Sequence, residues 1–441
     1  MLKFKANKGH LREYVMKTII QTVKGTRDFY PEEMAVRSWL LSKIRKVSES
    51  FGYQEYEGPY LERVDLYAAK SGDELVNQQA YVFQDRGGDQ ITLRPELTPT
   101  LARMVAQRQQ ALIYPLRWWS FGPFWRYEQP QKGRTREFQQ WNIDLIGVNS
   151  PEADAEMIAI AVSLFKEVGL GPDKVRVAIN SRRTMDVELA KLGISKDLYK
   201  AVFRVIDRRD KMAPDQWQAY ALSTGLTAEQ FEGILRMQTD RDLWKTSPDL
   251  VRVFEILGRM GLADYAVFDP EVIRGLDYYT GTVFEAQAVS GGRALFGGGH
   301  YDNLVGDVGG EPLPGVGFAM GDVMISIILR ENHLIPDLKL VPADILVTVF
   351  DAASLPDSFA LAADLRAAGL KVMVYPTDAR LPKQLKYADR VGVPFVLIAG
   401  PDEQAAGRVT VKNLSDGSQQ AVDRAHVVDF FIQKLAEAPA V

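Results

Sequence analysis

Residues 117–147 read RWWSFGPFWRYEQPQKGRTREFQQWNIDLIG. Two strand-like runs flank a polar loop, Glu128 to Arg136, that holds Pro130 and Gly133. From Arg117 to Arg136 there are five cationic residues, Arg117, Arg126, Lys132, Arg134 and Arg136, against a single acid, Glu128, a local balance of +4 in a chain of net charge −4. Strand side chains alternate faces with period 2. The first run therefore puts Phe124, Arg126 and Glu128 on one face and Trp125 and Tyr127 on the other. The second puts Trp141, Ile143 and Leu145 on an apolar face. Gln140, Asn142 and Asp144 form a polar lane opposite, flanked by Phe138 and Ile146. An ordinary hairpin with one solvated face would read similarly, but these strands are too aromatic to be freely solvated. Charges set among buried aromatics need partners. Arg126 and Glu128 beside Gln140 and Asp144 are thus expected to form the floor of a site for a small polar ligand.

Around this hairpin the chain is long enough, at 441 residues, for two or three domains with sizeable cores. Its 46% hydrophobic and 25% charged residues are ordinary for a globular protein. A mildly acidic balance carries no global nucleic-acid signature, so any such contact must be a local patch. There are no cysteines, which excludes disulfides, cysteine nucleophiles and cysteine zinc sites and fits a reducing compartment. His10, His300, His333 and His426 lack ligand spacing, so no histidine-based metal site is expected. No run approaches the roughly 18 apolar residues of a membrane span. Residues 1–20 lack an apolar signal core and read as a frayed extension, with Met16 an alternative start.

The folded part opens at KGTRDFYPEE, residues 24–33. Pro31 suits a first helical turn, and Glu32 and Glu33 suit the helix dipole. Val36, Leu40, Ile44, Val47 and Phe51 recur at spacings of three and four, predicting a helix to about Phe51 with Gly52 as its stop. Tyr53 to Tyr60, with Pro59, reads as an edge or interface strand. Tyr81–Gln84 and Gln90–Leu93 flank DRGGD, a hairpin signal. Arg94, Glu96 and Thr98 then crowd a strand-to-helix junction, where Thr98 could cap the helix and Pro99 opens it. An amphipathic helix is expected over 151–168 and a strand over 174–180. Residues 181–265 read as a helical insertion, and the charge run Arg204, Asp207, Arg208, Arg209, Asp210, Lys211 reads as a solvated face, with RNA contact the lesser option.

Strand-like chemistry resumes at IRGLDYYTGTVFEA, residues 273–286, followed by LFGGGHYDNLVGDVGG, residues 295–310. The triple glycine allows either a tight bend or close approach of a ligand to backbone. PGVGF leads into a helix from about Ala319 to Arg330. After a linker at 332–342, alternating strands (344–350, 371–375, 394–399, 408–414) and helices (356–368, 381–391, 423–436) predict a separate small α/β domain, 343–441. No internal repeat is evident.

The sequence contains no GxxxxGK[ST], HExxH or GxSxG motif, which disfavours P-loop, zincin and α/β-hydrolase chemistry. Arginines delivered by strands, with acids and tyrosines, remain. Phosphoryl chemistry needs fixed positive charge where negative charge develops, and bidentate arginine supplies it. An adenylation needs little more, because the substrate carboxylate is itself the nucleophile.

On these residues the chain resembles the class II aminoacyl-tRNA synthetases, in particular the histidyl-tRNA synthetase family, from about residue 21 onward. FWRYEQPQKGRTREFQQWNIDLIG resembles motif 2. RGLDYYTGTVFE and GGGHYDNLV resemble the two histidine-specific motifs, the first being the most specific match. PGVGFAMG runs into motif 3, LRPELTP resembles the amino-acid-binding segment, and Pro59, after its long helix, resembles the dimer-forming motif 1. The resemblance implies an α+β fold: an antiparallel-sheet catalytic core in two parts, 21–180 and 266–331, interrupted by the 181–265 insertion and followed by an anticodon-binding-like domain. It implies a cytoplasmic homodimer that uses ATP and Mg²⁺ to activate L-histidine and transfers it to tRNA(His). It implies that Arg126 clamps the ATP α-phosphate and the histidine carboxylate, that Arg274 is a second catalytic arginine, and that Glu128 and Arg134 belong to the ATP site. Glu96, Thr98, Gln140, Asp144, Tyr278, Tyr279 and Tyr301 would bind histidine, and Gln131, Lys132 and Arg134 would meet the tRNA acceptor end. An acid facing an imidazole N–H would reject apolar analogues, which leave it unpaired. The chain departs from the pattern at Met324, where motif 3 carries an arginine that stacks on adenine, and at His300, where an arginine normally precedes Tyr-Asp. Met324 could stack on the base instead. Such a loss is also what a non-catalytic, histidine-binding paralogue would show, such as the regulatory subunit of ATP phosphoribosyltransferase. A third reading is an adenylating protein that uses no tRNA.

Overall fold

A computed structural model describes residues 19–68, 79–209, 212–273, 278–338 and 340–436. Arg274, Asp210, Lys211 and most of the N-terminal extension, Met16 included, lie outside the described residues. The chain divides into two compact units, Met1–Pro336 and Asp337–Val441.

The first unit contains β1 (Gln54–Glu55), β2 (Leu61–Arg63), β3 (Tyr81–Gln84), β4 (Gln90–Leu93), β5 (Leu116–Trp125), β6 (Glu137–Ile146), β7 (Val175–Ser181), β8 (Ala266–Phe268), β9 (Thr282–Ala288), β10 (Phe296–Tyr301) and β11 (Gly315–Gly321). Eight of them form one sheet in the order β1-β5-β6-β11-β10-β9-β7-β8. All central pairs are antiparallel; only the edge pairs, β1 with β5 and β7 with β8, are parallel. A second small sheet has the order β2-β4-β3. The extended reading of Tyr53–Tyr60 shrinks to the two-residue β1. What holds this segment is Arg94, fully buried between the rings of Tyr60 and Phe124, with its ring approaches at 4.5 and 4.4 Å. Its guanidinium pairs with Glu57 and donates to the carbonyls of Pro123 and Gly58, so the buried charge is fully answered.

One face of the large sheet carries the core. Trp119, Trp141, Ile143, Leu145, Phe284 and Phe318 pack there against the Pro151–Glu167 helix. That helix starts on Ser150, whose hydroxyl accepts from Ala153 N, with Pro151 inside the first turn. It differs from the amphipathic expectation: Ala153 to Phe165 is buried almost all round, because the Pro31–Ser50 helix covers it from outside the sheet and the Pro248–Arg259 helix also contacts it. Pro31–Ser50 buries Leu40, Ile44 and Val47, the stripe read from spacing. PGVGF continues as strand to Gly321, so the following helix starts at Asp322, three residues later than expected. The reason is pairing: Gly315 to Met320 lie between β6 and β10, and Gly321 still pairs with β6. Between β7 and β8 the described residues form five helices, from Arg182–Lys191 to Pro248–Arg259, whose buried residues, Trp217, Phe231 and Leu243 among them, are continuous with the main core.

The second unit has β12 (Ile345–Val347), β13 (Val372–Val374), β14 (Phe395–Ile398), β15 (Arg408–Asn413) and β16 (Gln419–Asp423) in the order β13-β12-β14-β15-β16. Its first three strands are parallel neighbours and the last two run antiparallel. β16, mostly exposed and polar, is a strand that no alternation of apolar residues reveals.

Candidate active site

The sheet face opposite the core is concave because of which residues meet on it. Along β6, Gln140, Asn142 and Asp144 turn away from Trp141, Ile143 and Leu145, as period 2 requires. Facing them in register on β11 are only small residues: Gly321 opposite Gln140, Ala319 opposite Asn142 and Gly317 opposite Asp144. A Cβ on Gly317 would run into the Asp144 carboxylate. The alternation therefore clears a floor.

Over that floor lies a cavity of about 180 Å³. Tyr301 of β10, Tyr278, Tyr279, Glu96, Thr98 and Arg126 line it together with the floor. All seven residues assigned to histidine by resemblance line this one space. Asn142, Gly297 and Gly317 line it too, and Gly317 in particular had no signal of its own beyond its place in an alternating run. Thr98 opens the Thr98–Arg108 helix without capping it; the N-cap is Leu97. Its side chain instead lines the small cavity beside Tyr278. The tyrosine rings meet edge-on, Tyr278 with Tyr279 at 4.8 Å and with Tyr301 at 6.3 Å.

The electrostatics follow from burial. The Tyr301 hydroxyl donates to Asp144 Oδ1 at 3.0 Å. Burial pushes the Asp144 carboxyl up to about 7, although this hydrogen bond works the other way. Burial also drives the Tyr278 and Tyr301 hydroxyls well above their usual range, so both remain proton donors. Gln140 Oε1 is buried without a hydrogen-bond partner. The small cavity thus offers an unmet acceptor and a carboxyl poised between states, a setting that suits an N–H-bearing guest.

A larger cavity, about 770 Å³, lies beyond Arg126, which lines both spaces. β5 ends at Trp125, so Arg126 and Glu128 sit in the loop rather than on the strand. The main chain is held by Arg126 N donating to Arg136 O, and by a turn in which Gln131 and Arg134 exchange both backbone hydrogen bonds at 3.1 and 2.8 Å. Gly133 in that turn has φ +80°, which favours glycine, and its Cα face abuts the Met324 sulfur. Arg126 Nε donates to Pro95 O at 2.9 Å while its guanidinium lies over Phe138. Arg134 Nε pairs with Glu128 Oε2 at 2.8 Å. Glu128, Arg134 and Met324 all line the large cavity. Gln131 and Lys132 are exposed, Lys132 Nζ reaching Glu331 at 2.9 Å.

The opposite wall holds residues that spacing did not select. Asp207 and Arg209 of the charge run reach the cavity, Arg209 paired with Glu271, so this run is more than a solvated face. Glu285, Gln287 and Arg293 complete that side. His300 lines neither cavity. It is buried on the core side of β10, Nδ1 2.9 Å from Asp154, with Nε2 3.4 Å from Asp302 but without a well-directed hydrogen bond. The triple glycine is a strand, not a bend, and Gly297 contributes to the small cavity.

With this geometry in hand, comparison with known proteins is specific. The family description "Histidyl-tRNA synthetase" matches residues 25–323, and "Anticodon binding domain" matches residues 344–434. The chain is 35% identical over 421 residues to the histidine–tRNA ligase of Leptospira biflexa, covering 91% of this chain and 95% of that one. The crystal structure of histidyl-tRNA synthetase from Nostoc sp. PCC 7120 superposes with a TM-score of 0.76 at 26% identity, covering 95% of this chain and all of that one. A structure titled as an ATP phosphoribosyltransferase regulatory subunit/histidyl-tRNA synthetase from Bacillus halodurans is alike in fold, with a TM-score of 0.66 at 23% identity over 81% of this chain and 93% of that one.

Proposed function

Because the chain belongs to the histidyl-tRNA synthetase family, we propose that it joins histidine to ATP across its two cavities and passes the product to a histidine-accepting tRNA. The observation that carries this reading is Arg126, which lines both spaces. Joining an amino acid to a nucleotide requires one cation in contact with the attacking carboxylate and the attacked phosphate, and a guanidinium can bridge two oxyanions.

Histidine occupies the small cavity. Asp144 accepts the imidazole N–H, Gln140 takes a further donor, and Glu96 and Thr98 hold the α-amino group. Its carboxylate points at Arg126. ATP occupies the large cavity, with Glu128 beside the adenine. The carboxylate oxygen attacks the α-phosphorus, the bond to the pyrophosphate oxygen breaks, and Arg126 offsets the charge that builds on the phosphoryl oxygens. Arg274 is assigned the same task by resemblance, and Arg274→Ala abolishes the reaction if that assignment holds. Mg²⁺ enters with the nucleotide. No cluster of three potential metal ligands occurs among the described residues, and this ion commonly binds through one or two carboxylates plus phosphates. Glu271 and Glu285 are the wall carboxylates that would face it, and it would neutralise phosphate charge.

Gln131, Lys132 and Arg134 meet the tRNA acceptor end, and the second unit meets the anticodon. A homodimer is supported by the exposed apolar side chains Tyr30, Tyr60, Leu61 and Phe83 at the start of the Pro31–Ser50 helix and on the small sheet. No helix among the described residues is long and apolar enough to cross a membrane, which fits work in the cytoplasm alongside tRNA. The fold alone does not separate this reading from the regulatory paralogue. The anticodon-binding match favours the ligase. Histidine-dependent ATP–pyrophosphate exchange, followed by charging of tRNA, tests it: no exchange overturns adenylation, and exchange without charging leaves an adenylating protein.

A further inference from the structure

Arg293 lies in the loop between β9 and β10 and reaches into the large cavity. Its stem closes on the 126–136 turn: a Cβ on Gly133 would lie 3.4 Å from Arg293 Cδ. Its other neighbour across that turn is Met324, whose thioether carries no charge. The Arg293 side chain is half-buried and forms no hydrogen bond or ion pair among the described residues. The acids around it are already engaged. Glu128 pairs with Arg134, Glu271 with Arg209 and Asp269 with Arg241, and Glu285 accepts from Gln287. Burial and the Arg134 charge both push the Arg293 guanidinium below its usual range, with Glu128 only partly offsetting them.

A cation held near another cation without an anion of its own is an unfavourable arrangement that a polyanion relieves. We propose that Arg293 contacts the polyphosphate of ATP, supplying positive charge to the large cavity from the β9–β10 loop, beside the uncharged Met324. The proposal rests on the reading of this cavity as the nucleotide site, and it goes further in naming the residue that holds the phosphates from that side. Arginine suits the task because its fork donates to two phosphate oxygens at once and does not lose its proton.

The test compares ATP with adenosine on the full-length chain. Arg293→Ala and Arg293→Gln are titrated calorimetrically with each ligand, and exchange kinetics are measured in parallel. Removing a charge-assisted hydrogen bond corresponds to roughly a 10- to 100-fold loss of affinity. The expected result is that loss for ATP binding, the same rise in KM for ATP, and adenosine affinity and KM for histidine within about twofold of the parent. Arg293→Lys recovers part of the loss, because a point charge replaces the fork. Unchanged ATP affinity in both variants overturns the proposal, as does an equal loss of ATP and adenosine, which would make Arg293 a wall rather than a phosphate ligand. Arg293-dependent ATP binding without any exchange in the parent keeps this inference and removes the ligase reading. Normal exchange with no effect of either variant does the reverse.

Discussion

The two cavities meet at Arg126 but are built differently. The smaller is a product of sheet geometry: its floor is alternate residues of β6, its clearance is the glycines of β11, and its wall is Tyr301 of β10. The larger is a meeting of loops, the 126–136 turn on one side and the β9–β10 loop and the end of a helix in the 182–259 segment on the other. A site set in a paired sheet is held by ladder hydrogen bonds and has one shape. A site between loops depends on which side chains happen to reach it, and in the proposed reading Arg293 supplies a charge that Met324 lacks.

The residue the two cavities share should produce the largest effect. Arg126→Ala lowers kcat/KM for exchange by roughly 100- to 1,000-fold, the range for removing a group that stabilises developing charge. It does so whichever substrate is varied, and kinetics with each substrate in turn check this. A loss confined to ATP would mean that the cavities act separately. Gly317→Ala should separate them. Its Cβ meets the Asp144 carboxylate and the Ile143 carbonyl, so it fills the small cavity from below and costs about 1–3 kcal/mol of stability through overpacking. The KM for histidine rises roughly tenfold or more, as when a charge-assisted hydrogen bond is removed, while ATP affinity stays within about twofold. Parallel titrations read both, and equal losses would show that the sheet also shapes the large cavity.

Asp144 gives the small cavity a pH signature. Its carboxyl, ordinarily near 3.8, titrates at about 7 in the fold. In its proposed role it accepts an imidazole N–H as a carboxylate, so kcat/KM for histidine falls as pH drops through about 7, and a flat profile between pH 6 and 8 would remove it from recognition. Stability runs the other way. Between 3.8 and about 7 the native carboxyl holds a proton that the unfolded chain has released, so this group's contribution to stability declines as pH rises through that window. Asp144→Asn therefore raises the thermal midpoint of the ligand-free protein most at pH 8 and clearly less at pH 5, the gain fading as pH falls toward 3.8. Scanning calorimetry at the two values reads the difference.

The same contrast explains how much of the molecule is legible in its sequence. Period-2 alternation places Gln140 and Asp144 opposite Trp141 and Ile143, and the fold keeps that division because one face of β6 buries its apolar side chains against a helix while the other meets glycines. The Pro31–Ser50 helix is legible for the equivalent reason, a stripe at three- and four-residue spacing. Arg209, Glu271 and Arg293 leave no such trace. They converge on the large cavity from segments far apart in sequence, and no local period registers a meeting of loops. The Pro151–Glu167 helix is evident as a helix but not in its depth of burial, since the helices that cover it lie elsewhere in the chain. Glu96 stands out locally only as part of a crowded strand-to-helix junction, and its binding role, like that of Tyr278, comes from resemblance to a family.

The smallest effect on the fold is expected at Lys132, and it bears on whether the 126–136 loop has a second task. Lys132 pairs with Glu331, but the two side chains are 77% and 56% exposed. An ion pair in that setting is worth about 0–1 kcal/mol, so it does not explain the loop's shape. The mutual hydrogen bonds of Gln131 and Arg134 and the positive φ of Gly133 do. Lys132→Ala should therefore leave the thermal midpoint and ATP–pyrophosphate exchange unchanged. If the exposed lysine meets the acceptor end of tRNA, charging weakens severalfold and becomes less sensitive to salt, as expected when a single lysine–phosphate pairing is removed. Charging at the parental rate, with the parental salt dependence, would confine the loop to the nucleotide and return Lys132 to the solvated surface.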